Sequence, residues 1–455
     1  MFTCCIAIKK LNENQMTQTS FYNIICVFSL LLLICCSLNV YFFNNLQSNA
    51  PKNDVRNGEY AKKINPNQAL GTKSNQIITR SKAIAVQNAI IRKSETLSAA
   101  FRKRNPKYLA IKLDLVNCFL PKPYNNSIWK TANAWLQANE VFPYNDKTIG
   151  AVTSAIRKEP IRSIKNSRRG TQLKLVLELP GPQFLLFKPS WYNRNDIING
   201  TVYSGKDRHN SEIVSFHLAA VLNLRYSPIV AGRMISLRNH MEFADDELRR
   251  TMKVINNQQC VYGSCHYCKS DETVCDDPTT GMLEGAALYT IPGKIVKHRS
   301  PWQRTYKTEL MAEWERNDNY CAMIRKKLQY NILLDLIDAA IFDFLIQNGD
   351  RHHYETREDR LLFLDNGKGF GNPFIDHIDI LAPLYQCCFI RHTTWERLLT
   401  FSGGALTETL EELNKLDILY PLLTKEHYLA LERRLLYVFS TVSLCKEKHG
   451  NKIFK

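Results

Sequence analysis

Four charged residues stand in the order and spacing that phosphoryl transfer requires. Lys188 ends an apolar run and could neutralise nucleotide phosphates, and Glu212 in the next helical stretch could hold that lysine. Asp350 lies in a polar loop and could take the proton of an acceptor hydroxyl. Asp365 follows a short apolar run and could bind a divalent cation. Together they predict an ATP-dependent phosphotransferase.

Each of these residues also has a plainer interpretation. Lys188 could simply end a strand, Glu212 could be a solvated helix residue, and Asp365-Asn366-Gly367 is a good turn sequence. The chain has no GxGxxG loop, no GxxxxGK[ST] loop and no His-Arg-Asp catalytic loop. The residues alone therefore predict at most an atypical kinase.

The elements that must position these residues change in character along the chain. Leu173–Leu179 alternates like a strand, Pro180-Gly181-Pro182 predicts a turn, and Phe184–Lys188 predicts a second strand, which together form a hairpin. The first half is therefore predicted to be rich in strands.

The second half has the pattern of helices. Apolar residues recur at helical spacing over Leu328–Gln347, and Asn348-Gly349 fits the end of that helix. The remaining predicted elements are helices over Ile128–Glu140, Ser211–Leu222 and Tyr428–Val442 and a strand over Leu361–Leu364. The fold class expected is α+β, with a strand-rich first lobe and a helical second lobe.

A 23-residue stretch without a charged side chain, Phe21–Phe43, is long enough to cross a bilayer. A cleaved signal peptide is the alternative, but its apolar core is usually shorter. We expect a short cytosolic tail over residues 1–20, a signal anchor over 21–43 and a stem over 44–110. The globular part follows, with the first lobe over 111–291 and the second over 292–455.

Cysteines and sequons indicate an oxidising compartment for the globular part. Eight of the 14 cysteines lie between Cys260 and Cys445, a density that suits disulfides. A four-thiolate metal site within residues 260–275 is the alternative. Glycosylation sequons begin at Asn125 and Asn199. With the anchor, these features predict a type II membrane protein whose catalytic domain is luminal.

The net charge of +17 does not indicate a nucleic-acid-binding protein. Residues 51–110 carry ten of the excess positive charges and residues 111–200 carry seven, while the region that holds Asp350 and Asp365 is nearly neutral. The excess therefore belongs to a basic stem and to a first lobe that faces ATP phosphates.

Four longer motifs carry a resemblance to a known family. They are Asp207-Arg208-His209-Asn210-Ser211-Glu212, Asn348-Gly349-Asp350-Arg351-His352-His353-Tyr354-Glu355, Leu364-Asp365-Asn366-Gly367 and Leu381-Ala382-Pro383-Leu384-Tyr385-Gln386-Cys387-Cys388. From about residue 110 to 450 the chain resembles the secretory-pathway kinases called "family with sequence similarity 20". Lys206-Asp207, Trp302–Tyr306 and Gly371-Asn372-Pro373 make it most similar to the glycosaminoglycan xylosylkinase branch.

The resemblance implies an atypical two-lobed kinase-like fold, stapled by disulfides, and a set of site residues. Asp350 would be the catalytic base, and Asp207 and Asp365 would bind the metal, Mn²⁺ or Mg²⁺. The residues implied for ATP are Gln172, Lys174, Lys188, Glu212, Glu355, Asp365 and the hinge Leu288, Tyr289, Thr290 and Ile291. The protein-phosphorylating branch has Glu in place of Asp207, and Gly349 stands where other members have Ala or Met.

The same resemblance implies the disulfide pairing and the biological role. The pairs would be Cys260–Cys275, Cys265–Cys268, Cys321–Cys387 and Cys388–Cys445, within a Cys-rich insertion at 256–281 and in the second lobe, with Cys118 left free. The expected reaction is transfer of the ATP γ-phosphate to the 2-hydroxyl of xylose in the proteoglycan linkage-region glycan, in the Golgi membrane.

Two other functions stay open at this point, a secretory Ser protein kinase and a pseudokinase that activates a partner. An aromatic and basic group, His298, Trp302, Arg304 and Tyr306, could contact a glycan or could be ordinary packing between the lobes. The sequence predicts no particular oligomeric state.

Overall fold

The protein is described by a computed structural model that covers residues 84–136, 141–168, 170–181, 183–306 and 310–455. These residues belong to one compact unit, residues 70–455. In this part of the chain no helix has the length and apolar character needed to cross a bilayer. The predicted anchor at 21–43 lies outside the described residues.

The strands form three antiparallel sheets. A five-stranded sheet in the order β1-β2-β3-β8-β4 is the core of the first lobe, β5-β6-β7 forms the Cys-rich insertion, and β11-β10-β9 lies at the start of the second lobe. The strands are β1 (Ser163–Asn166), β2 (Leu175–Leu179), β3 (Gln183–Pro189), β4 (Val230–Ile235), β5 (Met252–Ile255), β6 (Gln258–Val261), β7 (Val274–Cys275), β8 (Leu283–Tyr289), β9 (Val296–Arg299), β10 (His353–Arg357) and β11 (Arg360–Leu362).

Helices surround the first sheet and make up most of the second lobe. They are α1 (Tyr108–Phe119), α2 (Ile128–Ala134), α3 (Ile149–Lys158), α4 (His209–Leu222), α5 (Asp246–Arg249), α6 (Glu313–Arg316), α7 (Tyr320–Arg325), α8 (Tyr330–Ile346), α9 (Ala382–Cys387), α10 (His392–Thr400), α11 (Ala405–Asn414) and α12 (Lys425–His449). Residues 84–95 are also helical, and 3₁₀ turns cover Ala99–Arg102, Met241–Phe243, Ile378–Leu381 and Gly450–Ile453. The predicted α+β class with two lobes is confirmed.

The hairpin is confirmed, because β2 and β3 pair around the turn at Gly181 with Val176 opposite Leu186. The alternation of β2 is visible in its burial, since Leu175, Leu177 and Leu179 are fully buried. One predicted helix is shorter than expected: α2 ends at Ala134, and the predicted end at Glu140 lies among residues 137–140, outside the described part.

The long helix α8 contributes to the apolar core of the second lobe and ends directly before the loop that contains Asp350. Fifteen of its residues are buried, from Ile332 to Ile346. Its C-cap is Gln347, which adopts the left-handed conformation at φ 60°. The helix therefore ends as predicted, but Gln347 rather than Gly349 makes the left-handed turn.

Residues 84–110, which composition assigns to the stem, pack on the second lobe. Ile90 is fully buried, and the ring of Phe101 lies 5.2 Å from that of Phe439 on α12. Arg104 pairs with Glu408 on α11 at 2.6 Å. This stretch therefore contributes apolar contacts to the globular unit.

A buried carboxylate joins the two lobes at the β4 edge of the first sheet. Asp417, which follows α11, accepts hydrogen bonds from the Gly232 amide of β4 at 2.9 Å and from Arg157 Nη2 of α3 at 3.1 Å. A Cβ at Gly232 would lie 2.2 Å from Asp417 Oδ1, so this contact requires glycine. We call these three residues the Asp417 clasp.

Candidate active site

Lys188, at the end of β3, lies at the centre of a buried cluster of charges. Its side chain is 3% exposed, and its Nζ lies 2.5 Å from Glu212 Oε1 and 3.0 Å from Asp207 Oδ2 and also contacts Asp365 Oδ1. Burial alone would lower the pKa of Lys188, but the three carboxylates hold that pKa well above its usual value. The ammonium group is therefore charged and fixed in place.

Glu212 comes from the first turn of α4, which is buried along its whole length. Its Oε1 accepts from Lys188, while its Oε2 is buried without a hydrogen-bond partner among the described residues. This is the lysine–glutamate pair that the sequence predicted. It links the five-stranded sheet to the helix behind it.

Asp207 is positioned by its backbone. Its amide donates a hydrogen bond to Gln172 Oε1 at 2.7 Å, and the next amide, of Arg208, donates to the Gly367 carbonyl at 2.7 Å. A Cβ at Gly367 would lie 2.7 Å from the Cβ of Asp207, so glycine is needed for this approach. The Asp365-Asn366-Gly367 turn therefore holds Asp207 beside Asp365.

Asp365 follows β11 in the left-handed conformation, at φ 58°. Its side chain is 64% exposed in the cleft, and its Oδ1 lies 3.5 Å from Lys174 Nζ and in contact with Lys188. The charges of Lys174 and then Lys188 hold the pKa of Asp365 well below its usual value. Asp365 is therefore a carboxylate at any physiological pH.

Asp207 and Asp365 provide the hard oxygen donors that Mg²⁺ and Mn²⁺ prefer. Both carboxylates contact the ammonium group of Lys188. Glu212 Oε2, which has no hydrogen-bond partner among the described residues, belongs to the same cluster of charges around Lys188. Among the described residues no group of three or more His, Cys, Asp or Glu side chains forms a site for one ion. The fit is thus to an ion held by two carboxylates, which leaves coordination positions for phosphate oxygens and water.

Asp350 lies in the loop between α8 and β10, as predicted. Its amide donates to Asn348 Oδ1 at 3.2 Å, and its side chain is 25% exposed. The neighbouring Arg351 makes a bidentate ion pair with Asp343 of α8, at 2.5 and 2.8 Å. Arg351 also donates to Asn366 Oδ1 at 2.8 Å and thereby links the Asp350 loop to the Asp365-Asn366-Gly367 turn.

One cleft holds six of the predicted site residues, Gln172, Lys174, Asp207, Asp350, Glu355 and Asp365. Glu355 of β10 pairs across the sheet with Lys297 of β9, and burial raises the pKa of Glu355. The cleft is lined by Thr171, Gln172, Lys174, Asp207, Lys297, Asp350, Arg351, His352, His353, Glu355, Leu364, Asp365 and Lys368. The predicted base Asp350 and the two predicted metal ligands, Asp207 and Asp365, therefore line one cleft with Lys174, and Lys188 contacts both of those ligands.

The predicted hinge lies where β8 leaves the first lobe. Leu288 pairs with Leu186 of β3 and with Val230 of β4, and Tyr289 ends the strand. The Thr290 amide donates to the Phe184 carbonyl at 3.2 Å. Leu288, Tyr289 and Ile291 are buried, and the chain then enters β9 of the second lobe.

The four residues considered for glycan contact have different surroundings. His298 stacks on Tyr354 at 4.9 Å. Trp302 is 8% exposed, and its Nε1 donates to Gln386. Arg304 pairs with Asp379. One pocket is lined by Trp302, Arg304 and Tyr306 together with Gly349 and His352 of the Asp350 loop.

The disulfide pairing is confirmed. Four disulfides are present: Cys260–Cys275, Cys265–Cys268, Cys321–Cys387 and Cys388–Cys445. Cys118 is a buried free thiol, and burial raises its pKa. The first two pairs hold the insertion, and the last two tie α9 to α7 and α12. The two sequon asparagines, Asn125 and Asn199, are both exposed.

Sequence reasoning missed several residues of the cleft. Lys297 enters it because β9 pairs with β10, a register that no local pattern reveals. Lys368 lies three residues after Asp365, and Arg351 directly follows Asp350. Their closeness in sequence to two predicted site residues is the signal that could have identified them.

Comparison with known proteins agrees with this geometry. Residues 127–453 match the family model described as "Fam20C: Golgi casein kinase, C-terminal, Fam20". The chain is 47% identical over 379 residues to the "Glycosaminoglycan xylosylkinase homolog" of Drosophila melanogaster, covering 82% of this chain and 90% of the relative. It is 40% identical over 335 residues to the Homo sapiens "Glycosaminoglycan xylosylkinase", covering 71% and 81%.

Solved structures show the same architecture. "The structure of hydra Fam20 with sugar" matches with a TM-score of 0.70 and 38% identity, over 73% of this chain and 99% of that one. The "crystal structure of the Golgi casein kinase with Mn/ADP bound" matches with a TM-score of 0.67 and 27% identity, over 88% and 94%. With the buried Lys188–Glu212 pair, the two cleft carboxylates and the Asp350 loop all in place, the chain belongs to the Fam20 family of kinases.

Proposed function

We propose that this protein is a glycosaminoglycan xylosylkinase, which transfers the γ-phosphate of ATP to the 2-hydroxyl of xylose in the proteoglycan linkage region. The observation that carries the kinase part is the convergence of Asp207 and Asp365 on the buried Lys188, since both carboxylates line the cleft that also contains Asp350. The choice of acceptor rests on the xylosylkinase relatives at 47% and 40% identity.

Each residue has a distinct task in this reaction. Lys188 and Lys174 face the phosphates, and Glu212 keeps Lys188 in position. Asp207 and Asp365 would hold Mn²⁺ or Mg²⁺, and a bound ion supplies charge neutralisation at the phosphate oxygens. Support for Mn²⁺ comes from the Golgi casein kinase relative with Mn/ADP bound.

The proton movement centres on Asp350. As the acceptor oxygen forms its bond to the γ-phosphorus, the bond from that phosphorus to the β,γ-bridging oxygen breaks, and ADP leaves with its electron pair. The acceptor O–H bond breaks in the same process, and Asp350 receives the proton. Arg351 keeps the loop fixed through Asp343, so the carboxylate does not need to reorient.

The acceptor side of the site suits a saccharide. The pocket next to the Asp350 loop combines the exposed ring of Tyr306 with the charged pair Arg304–Asp379, and the buried Trp302 forms part of its wall. Sugars commonly pack an apolar face on aromatic rings while their hydroxyls take hydrogen bonds from polar groups. We assign the acceptor glycan to this pocket.

The proposal extends to the compartment. The uncharged stretch at 21–43, four disulfides and the exposed sequons at Asn125 and Asn199 favour a type II Golgi membrane protein with a luminal catalytic domain and N-linked glycans.

One assay separates the proposal from its rivals. Purified luminal protein is given radiolabelled ATP and Mn²⁺ with a galactosyl-xyloside and, in parallel, with casein. The expected result is label in the saccharide and little in casein. Label in casein alone would indicate a protein kinase, and label in neither would indicate a pseudokinase. An Asp350→Ala variant that kept full activity would disprove the assigned base.

A further inference from the structure

The carboxylate of Asp350 is held by a residue that lies 44 positions earlier in the chain. The Tyr306 hydroxyl donates a hydrogen bond to Asp350 Oδ1 at 2.7 Å. A hydroxyl that donates to a carboxylate makes a short, charge-assisted bond of this length, about twice as strong as a neutral one. Tyr306 therefore fixes one oxygen of the base from outside the catalytic loop.

The ring of Tyr306 is itself held from two sides. Tyr203, in the segment between β3 and α4, makes an edge contact with it at 4.8 Å. His352 makes a second edge contact at 6.0 Å. Burial, followed by the hydrogen bond to Asp350 and then by the charge of Asp350, raises the pKa of Tyr306, so the phenol remains a protonated donor.

The two oxygens of Asp350 differ in their surroundings. Oδ1 receives the Tyr306 bond and lies 3.5 Å from His352 Nδ1. Among the described residues Oδ2 has no hydrogen-bond or ion-pair partner. A carboxylate fixed at one oxygen presents the other in a defined direction, which is what transfer of a proton from an acceptor hydroxyl requires.

We propose that Tyr306 is a positioning residue, which holds Asp350 by Oδ1 and so directs Oδ2 at the acceptor hydroxyl. The acceptor proton goes to Oδ2, and the Tyr306 proton stays on its own oxygen. The inference rests on the proposed function in one respect, that Asp350 is the base. It concerns the Tyr306 hydroxyl and not the ring that lines the acceptor pocket, so removing the hydroxyl is expected to lower kcat and to leave acceptor affinity unchanged.

The test is Tyr306→Phe, which removes one oxygen and keeps the ring on Tyr203 and His352. We expect kcat to fall about 5- to 20-fold, with KM for ATP and for the acceptor within twofold of wild type. The matched control is Tyr330→Phe, because Tyr330 at the start of α8 is exposed to a similar degree, 47% against 49% for Tyr306. That control is expected to keep wild-type kcat, and thermal melting checks that both variants fold.

A double-mutant cycle shows whether Tyr306 acts through Asp350. In an Asp350→Asn background, adding Tyr306→Phe is expected to change the residual rate less than twofold. Independent, multiplying losses would overturn the inference, and so would a Tyr306→Phe variant with wild-type kcat or one in which only the acceptor KM rises.

The experiment keeps the two proposals apart. If the wild type labels casein and not the galactosyl-xyloside, the xylosylkinase proposal fails. The kcat values of wild type and Tyr306→Phe are then compared on casein, because a serine hydroxyl needs a base to accept its proton just as a sugar hydroxyl does. If it labels neither, the comparison is made on acceptor-free ATP hydrolysis.

Discussion

Val202 packs directly against Gly349, the residue before the proposed base. A Cβ at Gly349 would lie 2.3 Å from Val202 Cγ1 and 2.4 Å from Cγ2. Val202 belongs to the segment between β3 and α4, so the first lobe touches the catalytic loop at this point. The contact explains why this chain has glycine where the resemblance leads one to expect Ala or Met.

Gly349→Ala should therefore displace either Val202 or the catalytic loop. We expect a loss of stability of roughly 1–2 kcal/mol, as is usual for overpacking, and a severalfold lower kcat. Adding Val202→Ala should restore both, while Val202→Ala alone should have little effect on kcat. Steady-state kinetics and thermal melting of the three variants decide this, and a double variant as impaired as Gly349→Ala would contradict it.

Lys188→Met should inactivate the enzyme and also destabilise it. It leaves Glu212 buried and Asp207 facing Asp365 without the cation that separates them. Breaking a buried ion pair at one partner costs about 3–5 kcal/mol. Urea unfolding should show this loss, together with a fall in kcat of more than about 100-fold.

The matched variant for Lys188→Met is the double change Lys188→Met with Glu212→Gln. Because it removes a buried carboxylate as well, it should recover part of the stability but none of the activity. Equal stability of the single and double variants would show that the buried charge of Glu212 is not the cause.

Stability should fall in acid because three buried histidines are neutral in the folded protein. Burial lowers the pKa of His209, His217 and His427 to about 4, whereas an unfolded histidine has a pKa of about 6.5. Between those values the unfolded chain binds more protons at these three positions. Their contribution to the free energy of unfolding therefore decreases as pH falls from about 6.5 to 4 and is fully present above about 6.5. Each histidine contributes up to about 1.4 kcal/mol per pH unit in that window.

His427→Gln tests one of these groups. His427 Nε2 lies 3.0 Å from the Phe370 carbonyl, in the segment after the metal-binding turn, and a glutamine amide can donate to the same carbonyl. We expect the variant to be about 1–2 kcal/mol less stable at pH 7.5 and nearly equal to wild type at pH 5. Urea unfolding at a series of pH values measures this, and parallel pH profiles would contradict it.

The disulfides should differ in their effect on stability. Cys388–Cys445 spans 57 residues and Cys265–Cys268 spans three. Since a longer loop restricts the unfolded chain more, replacing the first pair by serines should cost about 4 kcal/mol and the second about 2 kcal/mol. Equilibrium unfolding of the two double-serine variants compares them, and equal losses would rule out a loop-length explanation.

The parts of the fold that sequence predicted well are those with local patterns. β2 alternates between buried and half-buried residues, β3 is mostly apolar, and a Gly-containing turn joins them. In α8 apolar residues recur at helical spacing along the whole helix. The order of Lys188, Glu212, Asp350 and Asp365 followed from chemistry, and the disulfide pairing followed from the resemblance.

What sequence could not predict depends on pairing between distant segments. β8 contains Gly285 and two alanines and lies between β3 and β4. A Cβ at position 285 would lie 2.4 Å from the Phe187 ring, so this position requires glycine. The Tyr306–Asp350 bond likewise joins two loops through the folding of β9 onto β10. Neither relationship has a local signal.

The Asp417 clasp restricts how the cleft can open. Because Asp417 binds both Gly232 and Arg157 with a fully buried carboxylate, rotation of one lobe away from the other at the β4 edge would have to break both hydrogen bonds. We therefore expect the two lobes to stay joined at this edge while the nucleotide exchanges.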